Sequence, residues 1–253
     1  MIVLGLDTAT SSTTAALRLA DGQTREARDD PRPGEHPGHA TRLLSLAAGL
    51  LGDAGLRWGE MDRIAVGIGP GTFTGLRVGL ATARGLAQSL NVELVGVSSL
   101  RALAFGALAT PAEGRVLAVI DARRGEVFAA AYEQAESEAP RELAPPRALA
   151  PEDIPSLIAE AQTVSGPAEG GWLAVGDGAI RYRVQLAQDL DPDSVNIPAD
   201  DSGLHRVQGI AICALGALAP AGESIEGILP DYRRRPDAEL TLERARGGSP
   251  VIT

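Results

Sequence analysis

Two aspartates, Asp7 and Asp121, each end a short apolar run and open onto a turn. The first closes Ile2-Val3-Leu4-Gly5-Leu6 and leads into Thr8-Ala9-Thr10-Ser11-Ser12-Thr13-Thr14. The second closes Val116-Leu117-Ala118-Val119-Ile120 and leads into Ala122-Arg123-Arg124-Gly125-Glu126. A carboxylate at a strand end can orient a metal-bound water, and turn amides with Thr or Ser hydroxyls can hold phosphate oxygens. Asp7, Thr8, Thr10, Ser11 and Asp121 are therefore candidates for a nucleotide-phosphate cradle. Gly176 and Gly178, in the turn Gly176-Asp177-Gly178, could let an adenine ring approach, because glycine carries no side-chain bulk. Each feature taken alone also reads as a polar turn whose hydroxyls satisfy their own backbone.

Other chemistries are excluded by what the chain lacks. It contains no lysine, so Schiff-base chemistry, a lysine general base and a Walker A loop are ruled out. Its single cysteine, Cys213, lies in an apolar helical run; it excludes an internal disulfide and a Cys-based zinc finger and reads as a core thiol. His36 and His39 stand three residues apart with Pro37 and Gly38 between them, which is not the H-E-x-x-H of a zincin, and His205 is remote in sequence. His39 reads as a helix-start residue, and no metal site is expected. Gly96-Val97-Ser98-Ser99-Leu100 lacks the last glycine of a nucleophile elbow.

The elements that would carry these residues alternate between strand and helix, which makes the class α/β. Ile2 to Leu6 and Ala15 to Leu19 read as strands around the first turn, and Val116 to Ile120 and Val127 to Tyr132 as strands around the second. The units lie a little under half the chain apart and predict a duplication into two lobes. Leu43, Leu44, Ala47, Leu50, Leu51 and Ala54 give the apolar stripe of an amphipathic helix over His39 to Ala54. The strand from Asp62 to Ile68 leads into Gly69-Pro70-Gly71-Thr72-Phe73-Thr74-Gly75 and a helix over Leu76 to Leu90. Along that helix Gly75, Gly79, Ala83 and Ala87 recur at four-residue steps, a smooth surface that suits close approach either to another backbone or to the chain's own sheet. Glu93 to Val97 is a strand, and Ser98-Ser99 caps a helix from Leu100 to about Leu108. Glu136 to Gly171 is proline-rich and reads as loops around one helix near Ile154 to Gln162. Trp172 to Val175 is a strand, Ala179 to about Leu190 a helix, His205 to Leu218 the last helix, and the tail from Pro220 is expected to be partly mobile.

The chain of 253 residues fits one large domain or two small ones, and its formal charge of -10 makes it a poor general binder of nucleic acid. The opening MIVLGLD carries an aspartate in its apolar run and no basic flank, which argues against a signal peptide. The longest apolar stretch, Gly209 to Ala219, is too short to span a bilayer. No membrane contact and a cytoplasmic location are expected.

Several of these segments resemble the TsaB (YeaZ) family. They are Ile2-Val3-Leu4-Gly5-Leu6-Asp7-Thr8-Ala9-Thr10, His39 with Arg42-Leu43-Leu44, Ala65 to Gly79 with its Gly-Pro-Gly-Thr-Phe-Thr-Gly-Leu-Arg run, Val95 to Leu100, Ile120 to Val127, and Pro230-Asp231-Tyr232-Arg233. The match is dense over residues 1–132 and thin from 133 to about 225. The resemblance implies a two-lobed actin/Hsp70/sugar-kinase-like (ASKHA) fold built from duplicated mixed β-sheet lobes with flanking helices. Lobe one is expected over 1–100, lobe two over 101–225 and a C-terminal tail over 226–253. It also implies a non-catalytic subunit of the machinery that makes threonylcarbamoyladenosine beside the tRNA anticodon. Such a subunit pairs with a TsaD-like transferase, works with a TsaE-like ATPase, can form a homodimer, and meets tRNA only through the complex. The histidine pair of TsaD is spaced i, i+4, unlike His36 and His39, so its metal does not carry over. Arg123 and Arg124 stand where nucleotide-binding relatives have small residues, so no cofactor is expected beyond a vestigial ATP site. Family members associate through the first two helices, which here puts His39, Leu43, Leu46, Leu50, Gly75, Leu76, Gly79, Leu80 and Ala83 on the partner surface. The alternative is an ASKHA-type ATP-dependent kinase or hydrolase using Asp7 and Asp121. A metallopeptidase lacks its histidine pair.

Overall fold

The computed structural model describes residues 1–233 apart from 33, 110–113, 136–137, 169, 191–193 and 223. In the first lobe, β1 (Val3–Asp7), β2 (Thr13–Arg18) and β3 (Thr24–Asp29) form an antiparallel meander. Then β4 (Arg63–Gly69) pairs parallel with β1, and β5 (Glu93–Ser98) parallel with β4, giving the order β3-β2-β1-β4-β5. Helix α1 (His39–Ala54) crosses from β3 to β4, α2 (Phe73–Leu90) from β4 to β5, and α3 (Ser99–Leu108) follows β5.

The second lobe repeats this plan. Strands β6 (Arg115–Arg123), β7 (Glu126–Glu133) and β8 (Arg141–Leu149) form the meander; β9 (Trp172–Val175) lies parallel to β6 and β10 (Val195–Asn196) parallel to β9. The order β10-β9-β6-β7-β8 matches that of the first sheet strand for strand. Helix α4 (Ile154–Ser165) takes the place of α1, α5 (Asp177–Arg181) with α6 (Arg183–Asp189) that of α2, and α7 (Gly209–Leu218) that of α3. The duplication expected from the two aspartates is thus present in the topology, and Asp7 and Asp121 hold equivalent places at the C-terminal parts of β1 and β6.

Three apolar clusters explain the layering. Leu4, Leu6, Ile64 and Val66 of the first sheet pack with Leu43, Leu50, Leu80 and Ala83 of α1 and α2. Leu117, Val119 and Ala129 of the second sheet pack with Ile154, Leu157 and Ala161 of α4. Between the sheets lie α3 and α7, whose Leu100, Leu103, Ile212 and Cys213 meet Val3 and Ala65 on one side and Val116, Ile120 and Phe128 on the other. Helix α7 lies in the chain range assigned to lobe two, yet it packs tightly on the first sheet. A Cβ on Gly5 would come within 2.7 Å of Cys213 Sγ, and Gly209 lies against Ala16. Arg63, buried on β4, donates to the Gly216 and Ala219 carbonyls at 2.7 and 2.8 Å and pins the end of α7. The central strands are buried along almost their whole length, as sheets covered on both faces must be.

The structure departs from the expected elements in several places; the last helix starts at Gly209 and not at His205, and the short β10 has no counterpart among the expected strands. Strand β3 is Thr-Arg-Glu-Ala-Arg-Asp, a charged edge strand without an apolar run to announce it. Strand β8 falls in the stretch expected to be loop; its Pro145 and Pro146 are tolerated because β8 is a sheet edge. The helix expected over Ala179 to Leu190 breaks at Tyr182 (φ -104°, ψ 19°). The tail is not loose up to Arg233: Ile228 is buried, Arg84 donates to its carbonyl, and the Asp231 N–H donates to the Ile68 carbonyl at 2.7 Å.

Candidate functional site

Asp7 is 1% exposed, and its carboxylate is committed inside the first lobe. Oδ1 accepts from the Ala9 N–H at 3.1 Å, and Oδ2 accepts from the Ser99 hydroxyl at 3.2 Å at the start of α3. Burial pushes its pKa up to about 6, against the lowering by those hydrogen bonds and by Arg28. The space beside it belongs to Gly67, where any Cβ would overlap Asp7 Oδ2. Thr8 is equally consumed: its hydroxyl donates to the Gly75 carbonyl at 2.7 Å.

The glycines of the Gly-Pro-Gly-Thr-Phe-Thr-Gly run explain this closure. Thr72 caps α2 with its side chain, which accepts from the Gly75 N–H, and the Thr72 N–H donates to the Ala9 carbonyl at 2.7 Å. A Cβ on Gly71 would overlap Ala9, one on Gly75 the Thr8 carbonyl, and one on Gly79 the Thr8 hydroxyl. The N-terminal half of α2 is therefore seated on the hydroxyl-rich turn. This stripe packs on the chain's own turn and sheet, and the partner-surface expectation meets a physical obstacle there. His39, Leu43, Leu50, Gly75, Leu76, Gly79, Leu80 and Ala83 are all buried within the single chain, and Leu46 is half-buried. His39 Nδ1 lies 2.8 Å from the Thr13 hydroxyl, and burial holds its pKa below the usual imidazole range. Among the residues that α1 and α2 expose are Leu44, at 45%, Ala48, Gly49, Gly52, Thr74, Ala81 and Gly85, alongside polar ones such as Arg42, Ser45, Arg77 and Gln88, and nothing stands over the three glycines.

The second aspartate is committed differently. Asp121 Oδ2 lies 3.2 Å from an Arg123 guanidinium nitrogen and 3.4 Å from one of Arg181, and its backbone N–H donates to Asp177 Oδ1 at 3.0 Å. Burial raises the Asp177 pKa. Gly176 and Gly178 also depart from their expected role. Gly176 has φ 106° and lies on the Val119 carbonyl, and a Cβ on Gly178 would come within 2.9 Å of Ile120. Their lack of side chains serves the contact between α5 and β6.

A polar cleft of about 190 Å³ does remain between the lobes. Of the expected cradle, Thr10 and Ser11 line it. Ser12 of the same turn lines it too, and the remaining polar groups come from distant segments that no spacing in the sequence connects: Asp30, Asp177, Asp200, His205 and Arg206. Arg206 pairs with Asp30 at 2.9 Å, and Ser12 donates to the other Asp30 oxygen at 2.5 Å, so the ion pair spans the cleft. Arg28 and Ser12 hold Asp30 below the usual carboxylate range against the effect of its burial. His205 sets Arg206 in place, its two ring nitrogens each 3.1 Å from a carbonyl, of Gly176 and Pro198. Among the described residues no group of three His, Cys, Asp or Glu side chains could hold a metal, and no helix is long and apolar enough to cross a membrane.

Away from the cleft, the motif around Phe73 meets the Pro230-Asp231-Tyr232-Arg233 segment. The Phe73 and Tyr232 rings lie 5.1 Å apart, the Arg77 guanidinium sits 3.7 Å over Phe73, and Arg77 Nε donates to the Tyr232 hydroxyl at 3.1 Å.

Comparison with known proteins agrees with this architecture. The family model for TsaD, tRNA N6-adenosine threonylcarbamoyltransferase, matches residues 35–160. The Escherichia coli tRNA threonylcarbamoyladenosine biosynthesis protein TsaB is 39% identical over 137 residues, 54% of this chain and 57% of that protein. The Haemophilus influenzae protein of the same name is 34% identical over 128 residues, 51% of this chain and 52% of that protein. The chain thus matches little more than half the length of these curated relatives. The solved structure of YeaZ from Pseudomonas aeruginosa superimposes with a TM-score of 0.72 at 30% identity, covering 91% of this chain and 99% of that one. With its Gly-Pro-Gly-Thr-Phe-Thr-Gly run seated on the first turn and its two lobes matching YeaZ over nearly their full extent, the chain belongs to the TsaB/YeaZ family.

Proposed function

We propose that this chain is a non-catalytic subunit of the machinery that forms threonylcarbamoyladenosine in tRNA. In this reading it pairs with a TsaD-like transferase and works with a TsaE-like ATPase, and tRNA reaches it only within that complex. The observation that carries the reading is that both strand-end aspartates are already spent. Asp7 is enclosed by Gly67, Ala9 and Ser99, and Asp121 is bound to two guanidiniums. Neither is left to orient a water or a metal at a phosphate, which a kinase or hydrolase of this fold would require. The biosynthetic names of the curated relatives support the pathway.

The partner surface in this reading is the outer face of α1 and α2, around Leu44, Ala48, Ala81 and Gly85, where exposed small and apolar side chains leave room for helices of another subunit or a second copy. The inner, buried faces hold the lobe together. The test is co-purification with a TsaD-like protein, with ATP turnover measured on the isolated chain. Retention that is lost in Leu44→Asp, with turnover at background, is the expected result. Turnover well above background that disappears in Asp7→Ala would overturn it in favour of an ATP-dependent enzyme.

A further inference from the structure

After α7 the chain crosses back over the first lobe. Arg84 of α2 donates to the Glu226 and Ile228 carbonyls, and Ile228 is buried in that lobe's outer core. Gly96 on β5 makes room for it: a Cβ there would come within 3.1 Å of Ile228 Cγ2. The Asp231 N–H is bonded to the Ile68 carbonyl on β4, and Tyr232 packs on Phe73 and accepts from Arg77. Core, main-chain and ring contacts thus fasten residues 226–232 to lobe one. Arg233 then reaches across to lobe two. Its Nη1 donates to the Pro146 carbonyl of β8 at 2.8 Å, while Asp231 Oδ1, 2.6 Å from its Nε, braces the same guanidinium. Pro145 and Pro146 stand opposite the single residue Ala130, where the β7–β8 ladder shifts register. Prolines bring no N–H to this sheet edge, and it is a carbonyl that the strap takes there. Close by, Arg101 of α3 donates to the Pro140 carbonyl, just before β8, at 3.2 and 2.9 Å.

The lobes are tied at their other edges as well. The first sheet is bounded by β3 and β5, the second by β10 and β8. Asp30 directly follows β3. Arg206 lies in the segment after β10, which Arg183 and His205 fasten to lobe two through the Ile197, Pro198 and Gly176 carbonyls. The Arg206–Asp30 pair therefore joins the β3 edge to the β10 side, and Arg233–Pro146 joins the β4–β5 side to the β8 edge. Between the two ties lies the apolar layer of α3 and α7, which close packing makes hard to compress. Rotation of the lobes about that layer in one sense pulls Asp30 from Arg206. Rotation in the other sense pulls Pro146 from Arg233.

We propose that Ile228–Arg233 is an inter-lobe clasp which, with the Arg206–Asp30 pair on the opposite edge, fixes the angle between the lobes. Each tie opposes one sense of rotation. Asp231 is a positioning residue, since its carboxylate holds the Arg233 guanidinium towards β8, and a charged donor makes the stronger hydrogen bond there. The proposal does not depend on the partner role, because it concerns the isolated chain.

The experiment measures distances between pairs of spin labels on the full chain. Cys213 is buried and stays unlabelled, so introduced cysteines carry the labels. Ala48→Cys on α1 with Gln188→Cys on α6 reports the cleft edge, and Gln88→Cys on α2 with Thr163→Cys on α4 reports the clasp edge; all four positions are exposed. Arg233→Ala and Arg206→Ala each remove a side chain that is 40% and 52% exposed, so both variants keep the fold. The expected result is a single narrow distance for each pair in the wild type. Arg233→Ala broadens the clasp-edge distribution towards longer distances, and Arg206→Ala does the same at the cleft edge. Arg141→Ala, which breaks an ion pair to Glu133 within lobe two, leaves both narrow. If the wild type is already broad, if either variant leaves its own edge as narrow as the wild type, or if Arg141→Ala broadens them equally, the proposal is wrong.

Discussion

Replacing Asp7 by Asn tests the reading of Asp7 as an enclosed structural group most directly. The side chains are nearly the same size, so the tight space beside Gly67 is kept. The amide oxygen can still accept from the Ala9 N–H, and the amide nitrogen can donate to the Ser99 hydroxyl in place of the bond that Oδ2 accepts. What changes is the charge. The Asp7 pKa is raised by burial from 3.8 to about 6. The folded state therefore holds this proton more tightly than the unfolded chain, and ionising it weakens the fold. The favourable contribution is fully present below pH 3.8, is lost as the pH rises towards 6, and stays lost above it. A difference of that size corresponds to about 3 kcal/mol. Urea denaturation of wild type and Asp7→Asn from pH 4 to 8 is the assay. The variant is expected to gain on the wild type by up to about 3 kcal/mol as the pH rises through 6, with the difference level from pH 7 to 8. A stability difference that does not change with pH, or a variant that loses stability at pH 8, would refute the picture of an enclosed carboxylate without a cation bound to it.

Three further outcomes follow from the packing. Gly75→Ala drives a methyl group into the Thr8 carbonyl, so it should cost about 2 to 4 kcal/mol by thermal melting, whereas Gly85→Ala, with open space above it, should stabilise α2 by up to about 1 kcal/mol. Ala83→Trp should strongly destabilise or unfold the isolated chain, because Ala83 is enclosed by the first lobe's outer core; a stable monomer that has merely lost its partner would show that this residue faces outwards. Cys213, whose thiol pKa is pushed up to about 12 by burial, should stay unmodified by a thiol reagent at pH 8 in the native protein and react on unfolding; fast labelling of native protein would contradict its place between α7 and β1.

The parts of the structure that were legible in the sequence are those whose pattern is local. The stripe from Leu43 to Ala54 and the apolar runs ending at Asp7 and Asp121 carry their own periodicity, and the repetition of those runs predicted two equivalent sheets. The edge strands were hidden for physical reasons: β3 is charged because one side faces water, and β8 contains prolines because an edge does not need every N–H. At the site, sequence supplied the chemistry of Asp7, Thr8, Thr10 and Ser11 but not its direction. The same glycines that looked like room for a ligand or a partner turned out to be filled by Thr8, Ala9 and Val119. Asp30 and Arg206 escaped notice because they meet only through tertiary structure.

Helix α7 also sets a condition on how the chain can be made. Its Gly209, Cys213 and Gly216 are fitted to Ala16, Gly5 and Ala65 of the first sheet, and Arg63 waits on β4 for the carbonyls of Gly216 and Ala219. On the ribosome the first sheet is therefore complete in strands long before the helix that covers its inner face has emerged. During that interval a row of small residues and a buried arginine site stand open to water. Folding of the two lobes should then be a single late event, governed by contacts between segments far apart in the sequence. A fragment stopped at residue 108 should remain protease-sensitive throughout lobe one, and protection there should arrive only when residues 209–218 are present; an independently protected fragment would show that the lobe closes without them.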